Sequence, residues 1–162
     1  MAVENVKSTA ITNANATPSV PNNPYLMGGL MRTSVGKAII ADVADVASTY
    51  RLVRVPASAR IVGMRLTSDA SGATGTVDIG IYKTARDGGA VVSVALFANA
   101  KDLFTAALAD AFISVAPENK EKRLWELAGL TADPGIDYDI TLTSDQAFDA
   151  DCDVALEVTW VQ

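Results

Sequence analysis

With 162 residues, 49 % of them hydrophobic and 20 % charged, the chain suits one ordinary domain plus an appendage, and it is too apolar for wholesale disorder. A net charge of −6 argues against a general nucleic-acid binder, whose affinity comes from neutralising phosphates. The lack of histidine removes the commonest general base, the Ser–His and Cys–His nucleophile pairs and every His-containing zinc site, so an enzyme is not expected.

The opening MAVENVKSTA has no basic segment leading into an apolar one, and no apolar run approaches the ~18 residues of a membrane span. The expectation is a soluble product made inside a cell, with no membrane partner; the sequon Asn15-Ala16-Thr17 carries no weight without a secretory route. From Ile11 to Gly29, ITNANATPSVPNNPYLMGG, no apolar periodicity specifies a helix or strand, and Pro18, Pro21 and Pro24 around Asn22 and Asn23 favour extended and turn conformations. Few side chains in the first 36 residues could repay ordering: Ile11, Val20, Tyr25, Leu26, Met27, Leu30 and Met31. Residues 1–36 are therefore expected to form an extended arm, with a reach on the order of 100 Å, that gains order by lying on other polypeptides. Its expected anchors are Tyr25, Leu26 and Met27, followed by Leu30, Met31 and Arg32. GGLMRTSVGKA is not a P-loop, because Met31 stands five before Gly36 where glycine is needed and Ala38 replaces the magnesium-binding hydroxyl.

From Lys37 onward the pattern is that of strands. Candidates are Ala38 to Val46, Tyr50 to Val55, and Arg60 to Thr67 with Val62, Met64 and Leu66 inward. Clear period-2 alternation follows at Val77-Ile79-Ile81, Tyr138-Ile140-Leu142 and Val154-Leu156-Val158-Trp160. Turn chemistry separates them at Ser68 to Gly75, Arg86 to Gly89, Thr131 to Gly135 and Ser144 to Asp153. Two short helices are predicted. In NAKDLFTAALADA, Asn99 would cap a helix whose Leu103, Phe104, Ala107, Leu108 and Ala111 share a face; in PENKEKRLWELAGL, Pro117 would open and Gly129 close a helix burying Leu124, Trp125, Leu127 and Ala128. The fold predicted is all-β, an antiparallel jelly-roll-like β-sandwich over residues 37–162 with two short helices and the extended N-terminal arm.

Lone Cys152 can form no intrachain disulfide and reads as a small packed residue. Asp149, Asp151 and Asp153 alternate like the start of a calcium loop, but Val154 and Trp160 stand where an EF-hand needs Gly and Glu, leaving open only an irregular cation site. No metal or cofactor is expected. Charge is polarised: Arg51, Arg54, Arg60 and Arg65 occupy an acid-free stretch from Val46 to Ser68, whereas nine carboxylates and no base follow Arg123. These halves could pair within the fold or meet a complementary neighbour. The arginines are candidate shell or inter-subunit contacts, although strand geometry forbids all four from sharing one surface.

Tyr50 to Tyr82, YRLVRVPASARIVGMRLTSDASGATGTVDIGIY, with KRLWELAGLTADPG (Lys122 to Gly135) and the closing DVALEVTW, resembles the small capsid cement, or head decoration, proteins of tailed bacteriophages. The resemblance implies a jelly-roll domain on the outer surface of an icosahedral shell. Its partners would be the major capsid protein and itself, as a homodimer or homotrimer, with no nucleic acid and no catalytic residues. Rival readings are a phage-fibre or host-surface carbohydrate-binding sandwich, needing an exposed aromatic and carboxylate cluster, and a carboxylate-dependent hydrolase with two close acids in a cleft.

Overall fold

A computed structural model describes residues 6–24, 26–41, 44–103 and 116–162, and the backbone alone of 108–113. The chain falls into two compact units, Met1–Leu30 and Met31–Gln162. Among the described residues the second unit holds eight strands: β1 Met31–Ile40, β2 Thr49–Pro56, β3 Arg60–Ser68, β4 Thr76–Lys83, β5 Val91–Asp102, β6 Leu108–Ile113, β7 Asp137–Ser144 and β8 Cys152–Val161. They make two antiparallel four-stranded sheets, ordered β1-β8-β3-β6 and β2-β7-β4-β5. Every successive strand changes sheet except β5, which follows β4 in the same one; this is the connectivity of a jelly roll.

The core lies between the sheets. Alternation on β8 turns Cys152, Val154, Leu156, Val158 and Trp160 inward against Tyr138, Ile140 and Leu142 of β7 and Val77, Ile79 and Ile81 of β4. On β3 the phase shifts, because the ladder skips from Ile61 to Gly63 and leaves Val62 as the extra residue. Ile61 rather than Val62 is therefore buried with Met64 and Leu66. Gly36 on β1 is needed where the sheets meet: a Cβ there would overlap the backbone carbonyl of Leu52 on β2.

One predicted helix is replaced by sheet. Asn99 lies within β5 and Leu108 and Ala111 within β6, whereas Phe104 and Ala107 lie outside the described residues. Ladders from β5 to β4 and from β6 to β3 satisfy the backbone groups of both edges, and this tertiary pairing overrides the local helical pattern. The other helix is shorter than predicted. Pro117 opens a separate 3-10 turn, Pro117–Asn119, and α2 covers only Leu124–Leu127. Gly129 closes it in the left-handed region at φ 78, its N–H donating to the Glu126 carbonyl while that of Leu130 donates to Trp125. Bonds from the Leu124 and Trp125 amides to the Ala59 and Ala57 carbonyls fix this corner to the turn between β2 and β3.

In the first unit a helix does form where none was predicted: α1, Thr9–Ala14, with the Ser8 hydroxyl accepting from the Ile11 amide at 3.4 Å. Asparagines fold the following chain back: Asn13 Nδ2 donates to Asn22 Oδ1 at 2.9 Å, and Asn22 Nδ2 to the Ala10 carbonyl at 3.3 Å. Among the described residues of this unit none is buried. The boundary predicted between residues 36 and 37 falls inside β1, whose pairing with β8 starts at Met31.

Candidate interaction surfaces

The two sheets treat their outer faces differently. On β2 the ladder to β7 pairs Arg51 with Thr141, then Val53 with Ile140 and Arg54 with Asp139, so Leu52 is an extra residue. That bulge brings Arg51 and Arg54, three apart in sequence, onto one face. Both reach Asp139, whose side chain keeps 7 % of its exposure: Arg54 through Nε at 2.7 Å and Nη2 at 3.2 Å, Arg51 through Nη1 at 3.1 Å. Arg51 also donates to the Lys83 and Gly89 carbonyls at 2.6 and 2.8 Å, tying β2 across β7 to the turn between β4 and β5. Burial alone would raise the Asp139 pKa, but the bonds and charges of Arg54 and Arg51 outweigh it and hold the carboxyl below its ordinary value. Thr141 and Thr143 beside it are buried too, the latter bonded to the Tyr82 hydroxyl at 2.8 Å.

The other sheet's outer face is open along β1. Met31, Thr33, Val35, Lys37 and Ile39 point out from it, with Met31 61 %, Val35 64 % and Ile39 67 % exposed, while Ser34, Gly36 and Ala38 turn inward. Beside them β8 contributes Glu157 opposite Val35 and Asp153 opposite Ile39. Arg65 on β3 pairs in register with Glu157, and the two line a shallow depression with Val35, Thr67 and Ala155.

The sequence-predicted contact residues are thus dispersed. Arg51 and Arg54 serve the clamp on one sheet; Arg60 and Arg65 lie on β3 in the other, Arg60 donating to the Lys120 carbonyl at 3.3 Å. Arg32 sits on β1 with its guanidinium 5.3 Å from the Trp160 ring centre, next to exposed Met31. In the first unit Met27 and Leu30 are exposed and Leu26 is half-buried, the Leu26 and Met27 amides both bonding the Asn23 carbonyl. Tyr25 lies outside the described residues. Asp139 escaped sequence reasoning, being one of nine carboxylates after Arg123, and only the bulge in the partner strand distinguishes it.

Asp149 is occupied as a loop clasp, accepting the Ala73 amide at 3.0 Å and the Thr74 amide at 3.2 Å; these amides, foremost Ala73, lower its pKa. Among the described residues no group of three carboxylate, thiol or imidazole side chains could hold a metal ion. Cys152 is buried, its thiol donating to the Asp69 carbonyl at 3.0 Å, and burial first, then Asp69 and Asp153, push its pKa up to about 11. No described aromatic side chain is exposed. No helix among the described residues is long and apolar enough to cross a membrane.

No protein-family model and no curated protein match the sequence. Solved structures do match the fold. A chain of the cyanophage Pam1 capsid asymmetric unit superposes with a TM-score of 0.59 at 17 % identity, covering 91 % of this chain and 94 % of that one. A chain of the capsid of Ralstonia phage GP4 gives 0.56 at 14 % identity, covering 83 % and 85 %. The jelly roll is therefore a fold also found in chains of phage capsid assemblies.

Proposed function

We propose that the protein is a virion structural protein of a tailed bacteriophage, binding the outside of the icosahedral shell and bridging neighbouring major capsid protein subunits as a cement or decoration protein. The observation that carries this reading is the fold match to a chain of a phage capsid, which spans 91 % of one chain and 94 % of the other. The first unit supports it: Ile11, Val20, Met27 and Leu30 stand exposed in a segment with no buried residue among those described, as befits a strap that docks on another polypeptide. Each large apolar side chain it buries on the shell would contribute about 1.5–3 kcal/mol. Arg32, Arg60 and Arg65 supply positive charge toward the shell, with Tyr25 completing the strap's anchors. In this reading the protein self-associates as a homodimer or homotrimer, needs no cofactor and performs no catalysis.

The test adds purified full-length protein to undecorated capsids and images them by electron cryo-microscopy. Density on the outer surface between capsid subunits, and a higher temperature of capsid disruption, are expected. The triple variant Leu26→Ala, Met27→Ala, Leu30→Ala should stay folded yet lose roughly tenfold or more in affinity. Unchanged affinity rejects the strap, and absence of the protein from the outer surface rejects the reading as a whole.

A further inference from the structure

The four edge strands of the sandwich are β1, β6, β2 and β5. Three of them meet their neighbour through an irregular ladder: β2 is broken between Arg51 and Val53, β6 opposite Leu66 to Ser68, and β5 at three places along β4. β1 alone runs ten consecutive pairs with its neighbour, without a bulge or proline. A regular edge of that length is the template on which another strand can pair. Its outward row reads Met31, Thr33, Val35, Lys37, Ile39: apolar, polar, apolar, polar, apolar, symmetric about Val35.

We infer that β1 is a self-association edge: two copies of the chain pair their β1 strands antiparallel about a two-fold axis at Val35, merging two four-stranded sheets into one of eight. An antiparallel second copy centred there places Val35 opposite Val35, Met31 opposite Ile39 of the second copy, and Lys37 opposite its Thr33. Three apolar cross-strand pairs then cover side chains that are otherwise 61 to 67 % exposed. The two Lys37 ammonium groups stand four residues apart along the strands, about 13 Å, beyond the screening length of about 10 Å. Centring on Lys37 would instead set like charges opposite each other, and a register displaced by one residue would send the apolar rows to opposite faces. The pattern thus complements itself in one register, which is what an isologous interface requires. Nothing in this depends on the capsid reading.

Sedimentation velocity and native mass spectrometry of the full-length protein should give a dimer. Val35→Cys should oxidise to an inter-copy disulfide, because residues facing each other across antiparallel strands lie about 4.5–5.5 Å apart at Cα. Ile39→Cys alone should not link, but mixed with Met31→Cys it should; native Cys152 is buried and gives no background. Val35→Glu should raise the dimer dissociation constant roughly tenfold or more, with an unchanged circular dichroism spectrum. A wild-type protein that is monomeric at its solubility limit, a trimer, or a dimer in which Val35→Cys stays reduced overturns the pairing. A monomer that still decorates capsids would remove this inference and leave the cement function standing.

Discussion

The outer face of one sheet is polar and paired within the chain, whereas that of the other is partly apolar and open to water. Around β7 a carboxylate, two threonines and a tyrosine hydroxyl are sealed by two arginines, and every charge at the centre has its partner within the chain. Along β1 the apolar side chains face water, and small residues point into the core. A buried polar group is held in place by the cost of leaving it unpaired, so Asp139 is committed to the two arginines of its own chain. The second face keeps apolar surface that another polypeptide can remove from water. The charge polarity of the chain divides accordingly: Arg51 and Arg54 from its basic stretch meet Asp139 from its acidic one inside the fold.

The largest effect should come from the point where the two sheets touch. Gly36→Val would drive a side chain into the Leu52 backbone and should destabilise by about 3 kcal/mol in urea unfolding, since backbone cannot yield as a side-chain tip can. Val35→Ala next to it, on the open face of β1, should change the stability of the monomeric chain, measured at high dilution, by less than about 0.5 kcal/mol. Equal effects at the two positions would mean that β1 is not an edge strand with one face free.

The next effect sets one face directly against the other. Asp139→Asn should cost about 2 kcal/mol, because it removes the charge and replaces one of the two oxygens that accept the three arginine bonds with an NH2 that cannot accept; Glu157→Gln on the opposite sheet should cost less than about 0.5 kcal/mol. The same carboxylate fixes a pH window. Its folded pKa lies below its unfolded value, so the stabilisation is fully present above about pH 4 and is lost as pH falls through the folded value. Calorimetry from pH 6 down to pH 2 should show the wild type losing its advantage over Asp139→Asn in that range, and a constant difference would contradict the clamp.

What could be read beforehand follows the same division. β4, β7 and β8 were legible because their apolar residues alternate and point inward. β1 was legible only from Ala38 onward: its apolar residues point outward and Ser34 and Gly36 inward, the inverse of the pattern that marks a half-buried strand. The stretch from Asn99 to Ala111 carries helical spacing by composition, and only the edges of β4 and β3, remote in sequence, pair its two ends as strands, in β5 up to Asp102 and in β6 from Leu108. α1 escaped because Ser8 caps it but no apolar face supports it. The Arg51, Arg54 and Asp139 cluster depends on a bulge at Leu52 that no turn residue announces. Arg51 and Arg54, read as outward contacts, have their strongest bonds inside the chain for that reason.

The smallest expected effect concerns the first unit. Every buried residue among those described belongs to the chain from Ile40 onward, and helix α1 and its asparagine bonds lie within residues 1–30. A chain beginning at Met31 keeps the whole ladder of β1 with β8, whereas one beginning at Lys37 would remove six of its ten pairs. Removing residues 1–30 should therefore shift the urea midpoint by no more than about 0.5 kcal/mol of stability, while removing residues 1–36 should cost several times as much. If the shorter deletion already unfolds the sandwich, the first unit is part of its core and cannot be a strap reserved for other chains. If it leaves stability intact and abolishes capsid attachment, the two units divide the work: one folds, and the other fastens.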